Sequence, residues 1–242
     1  MFDHVGIAVS DLAASERFYR TVLSEPPSYA DAELVEWEDW AIGPIDDEHA
    51  VTRGLHVAFR APSRAAVQAF WQAGVDAGYR DDGEPGPRTV YGPDYYGGFL
   101  LDPDGNSVEA VHDDREDPVP DGCIDHLWIR VGDLEASRRF YTLIAPHAGI
   151  ALGEEEPGRV HFKGSDFSLS LIDDERPRTE HVHIAFTAGD DATVRDFHAA
   201  ALAAGYADNG GPGERAVYHS GYYGAFVLDP DGHNVEVVNH NR

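Results

Sequence analysis

The chain has 242 residues, 42% of them apolar, and 44 acidic against 18 basic residues give it a net charge of −26. A surface this negative excludes nucleic acid and anionic membranes as partners, because phosphate contacts need a basic footprint, and a single cysteine, Cys123, excludes an internal disulfide and a thiolate zinc cage. No apolar run reaches the ~18 residues of a membrane span, and the opening MFDHVGIAVSDL carries no basic region before its apolar stretch, so no secretion signal is read and a cytoplasmic location is expected.

The first predicted element is an alternating strand over Phe2–Val9, followed by Ser10 or Asp11 as a cap and an amphipathic helix bearing Leu12, Phe18, Tyr19 and Val22. Short strands follow at Glu33–Trp37 and Asp39–Ile42. The strand–helix order then restarts with Leu55–Arg60 and a helix from about Ser63 to Gly78, and closes with strands near Tyr96–Leu101 and Ser107–Val111 around a DPDG turn at 102–105. The glycines of GEPGPR and GGPGER read as loop turns; with no helix after them they are no phosphate cradle.

The whole order occurs twice. FDHVGIAVSDLAASERFY (2–19) returns as IDHLWIRVGDLEASRRFY (124–141) with 11 of 18 positions identical, and the block 79–111 returns as 206–238 with 20 of 33 identical. The offsets are 122 and 127 residues, so the second half carries a net insertion within 146–182. Helices are expected near Leu134–Ile144 and Asp190–Ala204. A period this long is a tandem duplication of a whole domain: 1–112 and 123–242, joined by the charged, proline-bearing linker 113–122. The predicted class is α+β, with four βαβββ modules, two per domain.

Strand alternation tests which polar residues share a face. His4 lies with Gly6 and Ala8, His56 with Ala58, and Glu109 with Ser107, each opposite branched or aromatic neighbours; His126, His183 and Glu236 repeat the pattern. Two imidazoles and a carboxylate form the facial set of a non-haem Fe(II) site with open positions, and a glutamate buried without a cation is costly.

A histidine on the opening strand of each half and DPDG-x-x-x-E at its close resemble the vicinal oxygen chelate superfamily of glyoxalase I, extradiol dioxygenases and bleomycin-binding resistance proteins. That resemblance implies an open cupped mixed sheet in each domain, helices outside and a metal within. Resemblance to the extradiol dioxygenases places ligands at His126, His183 and Glu236 in the second half, where such two-domain enzymes keep their metal; His4, His56 and Glu109 match the pattern equally well in the first. The ion expected is divalent, Fe(II) favoured, otherwise Mn, Zn or Ni. His219, in YHSGYYGAFVLDPDGHNVE, resembles the acid/base histidine of the extradiol dioxygenases, although Phe226 stands where that signature has tyrosine. Tyr222 and Tyr223, like Tyr95 and Tyr96, are placed to hydrogen-bond a metal-bound oxygen or to pack. The first half has Gly92 in place of His219. Trp128 and Arg130 line the second cup, the arginine there to bind an anionic substrate or to pair with a carboxylate. His49, His112, His147, His161, His181, His198, His233 and His240 read as surface or structural.

The reading is a metal-dependent enzyme with dioxygenase-like chemistry on a small oxygen-chelating substrate, as a two-domain monomer or a homodimer. The alternatives are a metal-free antibiotic-binding resistance protein and a glyoxalase-I-like lyase or isomerase, the latter opposed by the lack of a fourth acidic ligand near 39–43 or 167–171.

Overall fold

The computed structural model describes residues 2–23, 25–46, 50–113, 122–165 and 167–242. His49 and most of the expected linker lie outside the described residues. The first module is β1 (Phe2–Val9), α1 (Leu12–Val22), β2 (Tyr29–Ala30), β3 (Val35–Trp37) and β4 (Trp40–Pro44); the second is β5 (His56–Arg60), α2 (Arg64–Asp76), β6 (Arg80–Pro87), β7 (Tyr96–Leu101) and β8 (Ser107–His112). The third is β9 (Ile124–Arg130), α3 (Leu134–Ala148), β10 (Ala151–Glu156), β11 (Arg159–Lys163) and β12 (Ser168–Ile172); the fourth is β13 (Val182–Thr187), α4 (Asp191–Ala203), β14 (Ala207–Glu214), β15 (Tyr223–Leu228) and β16 (Asn234–Asn239).

Each helix begins where a short polar side chain caps it: Asp11, Ser63, Asp133 and Asp190 each accept the amide N–H three residues on. α3 runs past the expected Ile144 and through Pro146 to stop at Gly149, whose φ of 63° is the left-handed cap that glycine adopts without strain. At 15 residues against 11 in α1, it replaces loop residues of the first half; β10 still starts 122 residues after β2, so the insertion of the second half falls between β10 and β12. The helices bury their apolar stripes, and Phe18, Tyr19, Phe140 and Tyr141 are fully buried. Each such phenylalanine contributes roughly 1.5–3 kcal/mol through the water it sheds.

The DPDG turns join helix to sheet. Asp102 accepts the N–H groups of Asp104 and Asn106 and the Tyr19 hydroxyl, and Asp229 does the same for Asp231, His233 and Tyr141. The expected GEPGPR and GGPGER loops are instead strands β6 and β14. Their pairing slips at Gly83 and Gly210, which lie opposite Phe99 and Phe226. A Cβ on either glycine would meet its facing ring at 3.0 Å, so these bulged strands require glycine there.

Two eight-stranded mixed sheets result, in the orders β14-β15-β16-β13-β1-β4-β3-β2 and β10-β11-β12-β9-β5-β8-β7-β6. The first module therefore shares its sheet with the fourth, and the second with the third, where a separate cup for each half was expected. By contacts the chain divides into two compact units, Met1–Gly6 with Ile129–Arg242, and Ile7–Trp128. The opening residues of β1 thus count with the second half, beside β13. Most of β9 counts with the first half, antiparallel to β5, with Ala58 opposite His126.

Candidate metal centres

The exchange of first strands regroups the predicted ligands. In one unit His4 of β1 meets His183 of β13 and Glu236 of β16. The two Nε2 atoms lie 3.0 Å apart, and Glu236 Oε2 is 3.2 Å from His183 Nε2 and 3.8 Å from His4 Nε2. In the other unit His56 of β5 and Glu109 of β8 meet His126 of β9, with Nε2–Oε2 distances of 3.1 and 3.6 Å and 3.3 Å between the two Nε2 atoms. The expected sets His126–His183–Glu236 and His4–His56–Glu109 do not form. All six residues are used, but the first histidine of each set comes from the other half because β1 and β9 pair outside their own repeats.

Both sets suit a divalent ion. Metal–ligand bonds near 2.0–2.2 Å place the coordinating atoms roughly 3 Å from one another. His4 Nδ1–H donates to Asp3 Oδ1 at 2.8 Å, and His126 Nδ1–H donates to Asp125 Oδ1 at 2.8 Å, so each ring turns the lone pair of Nε2 toward its two partners. Burial lowers the pKa of His183 below its ordinary value, which favours the neutral ring that metals bind. The Tyr222 hydroxyl donates to Glu236 Oε1 at 2.7 Å and that of Tyr95 to Glu109 Oε1 at 2.8 Å, leaving Oε2 for the ion. Burial first, then the glutamate charge, pushes both tyrosine pKa values far up, so both remain donors. Among the described residues each set has three such ligands and no fourth histidine, cysteine or carboxylate within the same reach.

Access separates the two. The His4 and His183 side chains are 28% and 24% exposed, whereas those of His56 and His126 are 5% and 6% exposed. Trp128 makes the difference: its ring lies 5.0 Å from that of His56, 5.8 Å from that of His126 and 5.4 Å from that of Tyr91. The repeat has Gly6 at this position in the open set. Arg130, two residues beyond Trp128, pairs with Asp174 at 3.1 Å, the carboxylate contact of its two expected roles.

The expected catalytic residues divide. Tyr222 reaches the open set through Glu236. Tyr223 points elsewhere and accepts a hydrogen bond from Arg195 of α4 at 3.4 Å. His219 touches no ligand: Nδ1 is 2.8 Å from the Ser220 carbonyl oxygen and Nε2 is 2.8 Å from His240 Nδ1. His240, expected to be surface or structural, continues inward, its Nε2 donating to Asp3 Oδ2 at 2.5 Å. Although burial alone would raise it, these imidazole contacts hold the Asp3 carboxyl below its ordinary pKa. Asp3, Asp125 and His240 escape a reading of the sequence by strand alternation; the HisAsp pairing DH at the head of each half was the available signal. His198 binds Asp208, and His233 is buried beneath its DPDG turn. Burial, ahead of Asp39, pushes the Cys123 thiol pKa up, which opposes a free nucleophilic thiolate there; Glu38, Asp39 and Cys123 also lie within ligand reach of one another.

The model of the Glyoxalase/Bleomycin resistance protein/Dioxygenase superfamily matches residues 1–110 and 123–237. The chain belongs to this superfamily. Glyoxalase I from Zea mays is similar at 19% identity over 99% of this chain and 92% of its own, with a TM-score of 0.67; a single-residue mutant of it reaches 21%, 99%, 92% and 0.68. A candidate dioxygenase from Bacillus subtilis subsp. subtilis str. 168 is similar at 15% identity over 100% of this chain and 85% of its own, with a TM-score of 0.66. At these identities the likeness is one of fold. No curated protein matches the chain. Two superfamily segments in tandem account for the repeated motifs, and among the described residues no helix is long and apolar enough to cross a membrane.

Proposed function

We propose that His4, His183 and Glu236 are the working metal centre of an enzyme acting on a small substrate with two adjacent oxygen donors, with dioxygenase-like chemistry. The observation that carries this reading is the open three-ligand set: two partly exposed imidazoles and a buried carboxylate, with no fourth ligand of these types in reach among the described residues. Such a facial set leaves positions for substrate, whereas a lyase or isomerase of the glyoxalase I kind calls for a further acidic ligand. A divalent ion there, Fe(II) by preference and otherwise Mn, Zn or Ni, would supply positive charge to a chelating, anionic oxygen pair and, as Fe(II), electrons for dioxygen chemistry.

The protein's part is positioning. Asp3 fixes the tautomer of His4, Tyr222 aligns Glu236, and Gly6 leaves room where Trp128 fills the other set. Tyr222 thereby acts on the ligand rather than on substrate, and His219, with both ring nitrogens engaged, acts behind the site. His56, His126 and Glu109 are proposed as a second metal set, closed to substrate. The duplicated domains are assigned to 1–112 and 123–242, with 113–122 between them, in a soluble cytoplasmic protein.

The test is anaerobic removal of metal, reconstitution with Fe(II) and oxygen-uptake screening on catechols and related vicinal-oxygen compounds. Uptake that depends on Fe(II) and on His183 supports the reading. Tight ligand binding that survives chelation, with no uptake, would favour the metal-free binding alternative.

A further inference from the structure

Behind His4 the hydrogen bonds run on through Asp3, His240 and His219 to the Ser220 carbonyl, and their protons can be counted. The chain has an oxygen acceptor at each end: the Ser220 carbonyl, 2.8 Å from His219 Nδ1, and the Asp3 carboxylate, 2.5 Å from His240 Nε2. Between them His219 Nε2 and His240 Nδ1 are 2.8 Å apart. Three hydrogen bonds need three protons, and neither end acceptor supplies one while Asp3 is ionised. Two neutral imidazoles carry only two ring protons between them. A third would make the pair a cation.

We propose that His219 and His240 form a proton-sharing imidazole–imidazolium pair that neutralises Asp3 and, through it, fixes His4 for metal binding. His240 and His219 are positioning residues in this account. The other unit shows the same need met differently: Asp125, which orients His126, has the Arg60 guanidinium 3.8 Å from its Oδ2. The position matching His219 is Gly92, and Asp113 aligns with His240. One outer aspartate therefore faces a permanent cation and the other a cation that exists only while a proton is shared. Around the pair stand Asp3 of β1, Tyr222 ahead of β15, Glu214 of β14 through the Gly221 amide, and Asp191 of α4 through Asn239 and Asn241. Of these, Asp3 alone makes a hydrogen bond to either ring. The role toward metal rests on the open set being the metal centre; the shared proton does not.

Two measurements on the full chain test this. In the first, 15N-labelled metal-free protein is examined by histidine side-chain NMR at neutral pH, with His219→Gln and His240→Gln for assignment. The pair should show one ring bearing both protons, or the averaged signature of a proton exchanging between the two; two neutral tautomers would overturn the proposal. The second is a Co(II) titration of wild type, His240→Ala and His240→Arg. Loss of the outer contact should weaken the open set by about 10–100-fold, leave the buried set unchanged, and be largely restored by the arginine, as Arg60 serves Asp125. Equal affinity in wild type and His240→Ala would overturn the positioning role. Absence of Co(II) uptake by wild type would instead overturn the metal reading and leave the NMR result to decide the pair. If His240→Ala fails to fold, the wild-type spectrum and the arginine variant still decide it.

Discussion

Gly224 lies directly beneath the carboxylate of Glu236: a Cβ on the glycine would sit 2.5 Å from Glu236 Oε1. Gly97 lies in the same way beneath Glu109. The glycine that follows each tyrosine pair is the floor on which the glutamate of each candidate metal set rests. Gly224→Ala should push Glu236 aside, lowering metal affinity of the open set by about 10–100-fold. Because the displaced Oε1 is also the buried acceptor of the Tyr222 hydroxyl, the metal-free protein should lose about 1–3 kcal/mol as well. Metal titration alongside a melting curve separates the two effects, and an unfolded variant with no selective loss of metal would count against this role.

Tyr222→Phe removes the donor to Glu236 Oε1 and leaves a buried carboxylate oxygen short of a partner, at a cost of about 1–3 kcal/mol in the metal-free protein. Tyr95→Phe should do the same at Glu109. Turnover should fall with Tyr222→Phe alone, because only its glutamate faces an open site. Denaturant unfolding and activity assays on the two variants check both halves of this expectation.

Much of this arrangement is legible in the sequence. Alternation placed all six candidate ligands on the polar faces of their strands, and the duplicated blocks marked four modules. The partner of each module was not legible, because β1 and β9 carry the same DH-x-x-I pattern and nothing local tells either which sheet to join. β6 and β14 were hidden by proline and glycine, whose usual meaning is a turn, until the facing Phe99 and Phe226 explain the glycines. His240 stands alone in sequence, and its value comes from Asp3, more than 200 residues away. The difference between an open and a closed set rests on one aligned position, Gly6 against Trp128.

That position is open to exchange. Trp128→Gly should expose the buried set and speed removal of its metal by a chelator. Gly6→Trp should close the open set, abolishing turnover while metal is still bound; a Cβ at Gly6 comes no nearer than 3.6 Å to His183, so the backbone accepts a side chain. Chelation kinetics and oxygen uptake on the two variants provide the check.

Acid should weaken the metal-free protein in two stages. The pKa of His183 is held below its ordinary 6.5, so the unfolded chain takes up a proton first and stability falls as pH drops below about 6.5, until the folded ring is protonated as well. The carboxyl of Asp3 is held below its ordinary 3.8, so its contribution is present above that value and is lost as pH falls through the folded value. Melting temperature against pH should show the first stage in wild type and lose it in His183→Gln.

The most direct measurement compares His4→Ala with His126→Ala, each assayed for bound metal and for turnover after reconstitution. The exchanged sets predict that His4→Ala is inactive, with metal retained only in the buried set, while His126→Ala keeps most of its turnover. An active His4→Ala beside an inactive His126→Ala would contradict the account, returning His126 to the set of His183 and Glu236.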